Sequence, residues 1–388
     1  MAGRRARRKI CVVVNSRANY GRIKSVLKAV QAHPDLELQL IVGASALLYR
    51  FGNVQQIIEA DGFAPNATVY TIVEGETPTT MAKSTGLAII ELATLFENLR
   101  PDVVLTVADR FETIATAIAA SYMNIAVAHT QGGEVTGSID ESVRHAVTKL
   151  SHLHFPATAR AAENLIRMGE NPATVHCLGC PSIDVIAHLD LALPPDIFTR
   201  YLGVGAAIDA TQSYLVVLQH PVTTEYGRGL DQINETLKAV TALDMQTVWL
   251  WPNVDAGSDD VSKGLRMWRE RYNPKKLHYY RNFSVEDWAR LIHNAACVIG
   301  NSSSALREGA FLGVPAVNVG TRQQGREHGG NVVHVGHDAR EIEAAARRQI
   351  EHGHYERSAL FGDGFAGKRI ADVLASAEIR IQKRLAYA

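Results

Sequence analysis

The segment PDVVLTVADRFETIATAIAASYMNIAVAHTQGG, residues 101–133, carries the pattern that decides the fold. Its two short runs rich in apolar residues, 101–109 and 124–129, are typical of buried β-strands. The stretch between them, Phe111 to Met123, has the pattern of a helix. Because a strand–helix–strand unit joins parallel strands, the segment predicts a parallel sheet covered by helices.

The same rhythm extends to both sides of this segment. Strand-like runs ICVVVN and ELQLIVGA precede it, with a helical pattern from Tyr20 to Ala32 between them. After a proline-containing stretch near residues 190–205, further strand-like runs follow: SYLVVLQH, QTVWLWPN, KLHYYRNF, ACVIGNSS and PAVNVG. The 388 residues suit two domains of about 150 to 200 residues each. We therefore predict an α/β protein with two doubly wound domains and a ligand in the crevice at the carboxyl ends of their strands.

Composition and charge exclude several classes of partner. Forty basic residues balance forty acidic ones, so we expect neither nucleic acid nor a membrane as a partner. No run approaches the roughly 18 apolar residues of a membrane span, and the basic start MAGRRARRK is not followed by a signal-peptide core, which predicts a cytoplasmic protein.

Cysteine and histidine spacing gives little support for a metal or redox centre. Cys177 and Cys180 have the C-x-x-C spacing, but a structural zinc site would need a second ligand pair, and Pro181 follows where a redox motif would continue a helix. The segments HLH at 152–154 and HGH at 352–354 lack nearby carboxylate or cysteine partners. We expect reduced thiols, no metal and no cofactor.

The segment VIGNSSSALREGAFLGVPAVNVGTRQQGRE, residues 298–327, predicts an anion site. A strand ends at Gly300, serine hydroxyls follow, and a helical pattern begins near Ala305. Free N–H groups and the positive end of a helix dipole would hold a diphosphate there. Simple N-capping by Ser303 or Ser304 is the alternative.

Charged side chains near this segment complete the predicted nucleotide site. Glu308 lies one turn into the helix and could accept both hydroxyls of a ribose. Arg322 and Arg326 follow the next strand, where guanidinium groups can reach phosphate oxygens, although surface solvation is the alternative. His220 ends another strand and could protonate or hydrogen-bond a leaving phosphate, although a lone histidine is more often structural.

The strand ends of the first domain are rich in carboxylates and arginines. The carboxylates Asp109, Glu134, Asp140 and Glu141 lie at the predicted mouth of this domain, where they suggest acid/base work on a sugar. The cations at the corresponding strand ends are Arg17, Lys24 and Arg110. Glu141, Arg144 and His145 share a helical face at spacings of three and four, so we expect them to fix the loop rather than to react.

From about residue 9 to 375 the chain resembles the hydrolysing UDP-N-acetylglucosamine 2-epimerases. The motifs that carry this resemblance are SRANYGRIK, GGEVTGSIDESVRHAVTKLSHLHF, LGCPSID, WPNVDAGS and the 298–327 segment. The resemblance implies a GT-B-type pair of Rossmann-like domains with a cleft between them. It implies an N-terminal domain at 1–188, a C-terminal nucleotide-binding domain at 189–366, and a helix at 367–388 that returns to the first domain.

The resemblance also implies a reaction and the residues that perform it. A family enzyme removes the C2 proton, expels UDP to give a glycal-like intermediate, and adds water with inversion at C2 to release N-acetylmannosamine. The matching nucleotide-contacting positions are Arg17, Arg110, His220, Asn253, Ser302, Ser303, Glu308 and Arg322, with a backbone contact from Phe283 to uracil. The carboxylates implicated in proton transfer are Asp109, Glu134 and Asp140. We add Lys24, Gln131 and Arg326 to the predicted binding site and His220 to the catalytic groups.

Several alternatives stay open at this stage. Gln131 favours hydrolysis, because the related non-hydrolysing enzymes have a glutamate in the equivalent turn. Asn19 stands where many hydrolysing members have aspartate, which admits a UDP-2,4-diacetamido sugar or a retained nucleotide as in aminosugar antibiotic synthesis. A glycosyltransferase and a non-catalytic nucleotide-sugar sensor are further alternatives. The expected ligand is UDP-N-acetylglucosamine or a related UDP-sugar, and the expected assembly is a homodimer or homotetramer.

Overall fold

A computed structural model describes residues 6–75, 77–107, 110–252 and 255–386 of the chain. Among these residues, no helix combines the length and apolar character needed to cross a bilayer.

The first half of the chain forms a parallel sheet, as the sequence predicts. Its described strands are β1 (Arg8–Val14), β2 (Leu36–Gly43), β3 (Ala67–Val69), β4 (Val103–Val107), β5 (Ala126–Thr130) and β6 (Leu153–Phe155). They lie in the order β3-β2-β1-β4-β5-β6 and all pair in parallel. This is the Rossmann order, and its direction of winding reverses between β1 and β4, which opens a crevice at the carboxyl ends of these two strands.

Helices cover both faces of this sheet. They are α1 (Arg17–Gly21), α2 (Lys24–Ala32), α3 (Val54–Ala60), α4 (Pro78–Leu99), α5 (Thr113–Tyr122), α6 (Asp140–Leu150), α7 (Ala159–Arg167) and α8 (Pro181–Ala187). Alternate residues of β1 show why both faces are apolar: Val12 belongs to the core that contains Leu27 of α2, whereas Val13 belongs to the core that contains Leu92 of α4. A strand buried on both sides needs a continuous apolar run, which is the pattern seen in the sequence.

The second half of the chain repeats the same architecture. Its described strands are β7 (Gly203–Gly205), β8 (Tyr214–Leu218), β9 (Gln246–Leu250), β10 (Leu277–Tyr280), β11 (Cys297–Gly300), β12 (Ala316–Val319) and β13 (Val332–Val335). Strands β8 to β13 are parallel in the order β13-β12-β11-β8-β9-β10, and β7 adds an antiparallel edge beside β10. The order is again that of a Rossmann fold, so the prediction of two Rossmann-like domains is confirmed.

The helices of the second half complete the chain. They are α9 (Ile197–Arg200), α10 (Gly229–Leu243), α11 (Ser258–Tyr272), α12 (Val285–His293), α13 (Ser303–Leu306), α14 (Glu308–Leu312), α15 (Ala339–His352) and α16 (Ala366–Ser376). Helix α16 returns to the first sheet, because Ile370 and Leu374 are fully buried in the core around β1 and α2. The bounds 1–188 and 189–366 stay a prediction.

The predicted C-terminal helix at 367–388 is too long. Helix α16 ends at Ser376, and the backbone of Ala377 is extended. The guanidinium of Arg8 donates to the carbonyls of Leu374 and Ala377 at 2.6 and 3.0 Å, which satisfies groups that a longer helix would use internally. Beyond this point Lys383 donates to the carbonyls of Thr148 and Ser151, so the tail follows the surface of the first domain.

Glu170 anchors this tail and should contribute measurably to stability. Its buried carboxylate accepts from Lys149 at 2.8 Å and from the His154 ring at 2.9 Å, and it also pairs with Lys383. Burial alone would raise the pKa of Glu170, but these partners outweigh burial and lower it to about 2. We expect Glu170→Gln to destabilise the fold by about 1–3 kcal/mol at pH 7. Thermal unfolding of the two proteins should show this difference above pH 4.5 and lose it as the pH falls toward 2.

Candidate active site

The carboxyl ends of the two sheets face each other across a cleft. It encloses about 1080 Å³ of space, part of it open to solvent. Ten of the predicted site residues line it: Arg17, Arg110, Asp140, His220, Phe283, Ser302, Ser303, Glu308, Arg322 and Arg326. Two predicted residues, Asp109 and Asn253, lie outside the residues that the structure describes. The fold therefore brings together most of the side chains that were predicted from their positions at strand ends.

The serine turn after β11 forms one wall of the cleft. Gly300 has φ 134°, and a Cβ there would lie 2.2 Å from the carbonyl oxygen of Leu218, so the turn requires glycine. The hydroxyl of Ser302 accepts from the N–H of Ser304 at 3.4 Å, which makes Ser302 the N-cap instead of Ser303 or Ser304. Helix α13 starts at Ser303, earlier than predicted.

The helix dipole at this turn is weaker than the sequence suggests. Helix α13 spans only four residues before the chain breaks at Arg307, whose φ of −98° and ψ of −70° separate it from α14. A dipole effect is confined to the first and last turn of a helix and grows with aligned peptide units, so one turn provides little of it. Arginine side chains must therefore supply most of the positive charge in this cleft.

Among the described residues, five arginines and two carboxylates line the cleft, although the whole chain is neutral. The arginines are Arg17, Arg22, Arg110, Arg322 and Arg326, and the carboxylates are Asp140 and Glu308. Arg17 donates to the Arg281 carbonyl at 2.9 Å and to the Asn282 side-chain oxygen at 3.2 Å, and no carboxylate among the described residues pairs with it. Burial and the nearby Arg110 lower the pKa of Arg17 to about 10. A bound anion would relieve this repulsion, which makes the cleft suitable for a diphosphate.

Arg110 is held rigidly at the end of the first sheet. Its guanidinium binds Glu112 through two nitrogens, at 3.2 and 3.0 Å, and Asp255 at 2.7 Å. Asp255 also lies 3.7 Å from Arg322, which itself lies 3.6 Å from Asp140. This chain of alternating charges crosses from one domain to the other and fixes two arginines side by side.

His220 is placed by the end of β8 and by its neighbour β11. Its backbone N–H donates to the side-chain oxygen of Asn301 at 2.7 Å, and its carbonyl accepts from the Asn301 amide at 2.9 Å. Burial, followed by Arg322, Arg17 and Arg110, lowers the pKa of His220 well below its usual range. The ring is therefore neutral at pH 7 when the cleft is empty.

Anion binding should favour the protonated form of the His220 ring. A bound pyrophosphate would offset the three arginines and raise the pKa of the ring, so the ring should contribute proton uptake to binding near pH 6.5, in addition to any protons that pyrophosphate itself releases. Calorimetry of inorganic pyrophosphate binding in buffers of different ionisation enthalpy measures this uptake. We expect less uptake in His220→Asn than in the unsubstituted protein; equal uptake in both would show that the proton goes elsewhere.

The loop before α6 presents one carboxylate to the cleft and anchors another. Asp140 begins α6 and faces Arg322. Glu141 instead accepts from the Thr136 N–H at 2.7 Å, from Arg144 at 2.8 Å and from the His145 ring at 3.0 Å. The prediction that Glu141, Arg144 and His145 fix the loop is confirmed, and Asp140 remains as the described carboxylate of this loop that can reach a substrate.

Three predicted site residues do not line the cleft. Lys24 is buried between Asp61 at 2.7 Å and Glu286 at 2.6 Å, so its charge is used in a link between the domains. Gln131 is buried, with its amide donating to the Cys180 sulfur at 3.2 Å. Glu134 is buried behind the wall, against the guanidinium groups of Arg307 and Arg326. The sequence predicts that all three lie at strand ends, but it does not show the direction in which each side chain points.

Two arginines of the site were not singled out from the sequence. Arg22 lies in the turn between α1 and α2, which the sequence predicted as one helix, and its guanidinium donates to the Ser303 hydroxyl. Arg307 precedes Glu308 and turns away from the cleft, with its guanidinium over the Phe361 ring at 5.1 Å. Arg22 stands in the quoted motif SRANYGRIK one turn after Arg17, which was the available signal.

Among the described residues, no group of three or more histidine, cysteine, aspartate or glutamate side chains is arranged to hold a metal ion. The four cysteines are free; Cys177 is exposed and Cys180 is buried.

Comparison with known proteins agrees with this geometry. The family model described as UDP-N-acetylglucosamine 2-epimerase matches residues 28–375. The UDP-N,N'-diacetylbacillosamine 2-epimerase (hydrolyzing) of Legionella pneumophila is 32% identical over 375 residues, covering 97% of each chain. The UDP-N-acetylglucosamine 2-epimerase of Neisseria meningitidis is 28% identical and covers 97% of this chain and 98% of its own.

The fold is also shared with a solved structure. The Methanocaldococcus jannaschii UDP-GlcNAc 2-epimerase, in complex with UDP-GlcNAc and UDP, superposes with a TM-score of 0.77 at 18% identity. The match covers 94% of this chain and 99% of that one, and it confirms the predicted two-domain architecture. The family model and the relative from Legionella pneumophila both extend across nearly the whole chain, so the protein belongs to the UDP-N-acetylglucosamine 2-epimerase family.

Proposed function

We propose that the protein is a hydrolysing 2-epimerase that converts UDP-N-acetylglucosamine and water into N-acetylmannosamine and UDP. One observation carries this proposal: Asp140 faces a wall of arginines across the cleft, with Arg322 at 3.6 Å. The arginines can hold a leaving diphosphate while a carboxylate reaches the sugar attached to it.

The proposed reaction has two steps. In the first, a carboxylate takes the C2 proton, the C1–C2 double bond forms, and the C1–oxygen bond breaks with its electrons leaving on UDP. In the second, water adds its oxygen to C1, and C2 receives a proton on the face opposite to the one that lost it. Asp140 and Asp109 are our candidates for the two proton transfers, and the arginines stabilise the charge that develops on UDP.

The role of His220 follows from its neutral ring. A neutral imidazole can donate a hydrogen bond to the departing phosphate, and the negative charge of the diphosphate raises the pKa of the ring, so that it can also be protonated there. Ser302 and Ser303, which follow the neighbouring strand β11, offer hydroxyls to the same group. Glu308 is our candidate for the ribose hydroxyls, and Phe283 for the uracil.

A second substrate is favoured by one comparison. The relative from Legionella pneumophila that shares 32% identity is named for a UDP-N,N'-diacetylbacillosamine, which carries a second acetamido group. Asn19 does not decide between the substrates by contact, because it is buried and its amide donates to the Val107 carbonyl at 3.3 Å. An aspartate could not make this donation, so the asparagine supports the end of β4 at Val107.

The experiment is a product assay on both nucleotide sugars. Phosphorus NMR should show free UDP accumulating with one of them, and carbohydrate analysis should show the free 2-epimer of its sugar. UDP-N-acetylmannosamine without free UDP would instead show a non-hydrolysing epimerase. Turnover that requires an added acceptor would show a glycosyltransferase, and binding without turnover would favour a sensor.

A further inference from the structure

Glu134 is enclosed by cations behind the cleft wall. Arg307 donates to its two carboxylate oxygens at 2.9 and 2.6 Å, and Arg326 donates at 3.0 Å. Its own backbone carbonyl accepts from Arg144 at 2.7 Å. All four side chains are more than nine-tenths buried. Each carboxylate oxygen is therefore already engaged with a guanidinium, which is a poor arrangement for a group that must take a proton from a sugar.

The electrostatics of Glu134 agree with this geometry. Burial would raise its pKa, but Arg307 and Arg326 outweigh burial and lower the pKa to about 2. A carboxylate this acidic is a weak base at neutral pH, because efficient proton transfer needs a pKa near the operating pH. Asp140 lines the cleft, whereas Glu134 is buried behind its wall.

Arg326 connects Glu134 to the anion wall. It lines the cleft itself, and its guanidinium also donates to the side-chain oxygen of Gln323 at 2.8 Å. The Gln323 amide donates to the Asn301 carbonyl at 2.8 Å, and Asn301 is the residue that holds His220. Buried hydrogen bonds thus connect Glu134 to the strand ends that carry the serine turn and His220, so the orientation of Glu134 affects the positions of both.

Arg307 supports the same wall from behind. Its backbone forms the break between α13 and α14, directly after the serine turn. Its side chain leaves the second domain to bind Glu134 of the first, with the Cys180 sulfur at 3.4 Å. A planar guanidinium can bind two carboxylate oxygens at once, whereas a lysine ammonium cannot. The Glu134–Arg307 pair therefore joins the loop of one domain to the turn of the other.

We propose that Glu134 and Arg307 are positioning residues that act through Arg326 to set the anion-binding wall, and that Glu134 is not the group that takes the C2 proton. This differs from the proton-transfer role that the family resemblance implies for Glu134. The proposal rests on the proposed function only in taking the anion to be the diphosphate of a UDP-sugar.

Binding of inorganic pyrophosphate separates the two roles without any turnover. In Glu134→Gln, removal of a negative charge would by itself tighten anion binding. However, the amide NH₂ group would face guanidinium donors and displace Arg326, and loss of one partner of a buried charge pair weakens binding by about tenfold or more. We expect this loss of affinity. Pyrophosphate or UDP binding that is unchanged or tighter would overturn the proposal.

A double variant tests whether the two residues act as a unit. Arg307→Lys should weaken pyrophosphate binding like Glu134→Gln, because it loses the two-point contact. Glu134→Gln/Arg307→Gln removes the unmatched guanidinium and should bind no worse than Glu134→Gln alone. A loss in the double variant equal to the product of the losses measured for Glu134→Gln and for Arg307→Gln alone would show independent residues and contradict the proposal. If Glu134→Gln fails to fold, Arg307→Lys keeps the buried charge and still carries the test.

Glu170→Gln is the matched control, since Glu170 is also a buried carboxylate paired with cations, but it does not line the cleft. It should lower the melting temperature without changing pyrophosphate affinity.

In turnover, Glu134→Gln should lower kcat/KM yet leave the acidic limb of its pH profile in place, whereas loss of that limb would assign the base to Glu134. If the unsubstituted protein does not consume UDP-N-acetylglucosamine, the proposed function fails while the pyrophosphate measurements still decide this proposal. Absence of pyrophosphate binding in the unsubstituted protein would overturn it.

Discussion

Replacing Asp140 with asparagine should lower kcat by about 10²- to 10⁴-fold, the range that general acid–base groups contribute. The amide keeps the size of the side chain and can still accept a hydrogen bond from Arg322, which lies 3.6 Å from the carboxylate. It cannot take or return a proton. UDP should therefore still bind, as calorimetry can measure, while steady-state release of UDP falls.

Asp102→Asn is a matched control for this prediction. Asp102 precedes β4 at the opposite end of the first sheet, where its carboxylate accepts from the Lys9 N–H at 2.7 Å, and an asparagine oxygen can do the same. Its kcat should stay within twofold of the unsubstituted protein. Retention of normal kcat in Asp140→Asn would show that Asp140 takes no part in proton transfer.

Replacing Arg110 with methionine should destabilise the fold by about 3–5 kcal/mol, the cost of removing one partner of a buried ion pair. The substitution leaves Glu112 and Asp255 buried without their principal cation. Burial already raises the pKa of Glu112 despite Arg110, so without the guanidinium the carboxylates should take up protons more readily. Denaturant unfolding should accordingly show a larger loss at pH 8 than at pH 5.

The same variant should bind UDP more weakly, because the cleft loses the positive charge of Arg110. Arg369→Met serves as the control: Arg369 pairs with Asp363 on the surface, where ion pairs contribute little to stability. If Arg110→Met lowers the free energy of unfolding no more than Arg369→Met does, the view that buried carboxylates fix Arg110 would be contradicted.

The fold could be predicted from the sequence wherever a strand is buried on both faces. The runs that became β1, β4 and β8 are apolar over most of their length (ICVVV, VVLTV and YLVVL), and burial on both faces requires such a pattern. The missed strands β3, β6, β7 and β13 are three or four residues long and lie at sheet edges. Such short segments contain too few residues for a period to appear.

The site could be predicted only up to the direction of each side chain. The carboxyl ends of parallel strands meet at one edge, and this rule alone brings Arg17, Arg110, His220 and Arg322 to the cleft. The rule failed for Lys24 and Glu134, whose partners Glu286 and Arg307 lie 262 and 173 positions away. A charge at a strand end is visible in a sequence, but the opposite charge that neutralises it is brought there only by the fold.

The central claim is that this cleft removes the C2 proton and expels UDP from a nucleotide sugar. Incubation with UDP-N-acetylglucosamine in deuterated water, followed by mass spectrometry and proton NMR of the released sugar, tests it most directly. The account predicts free UDP and N-acetylmannosamine carrying one deuterium at C2. Released N-acetylmannosamine with hydrogen at C2 would contradict it.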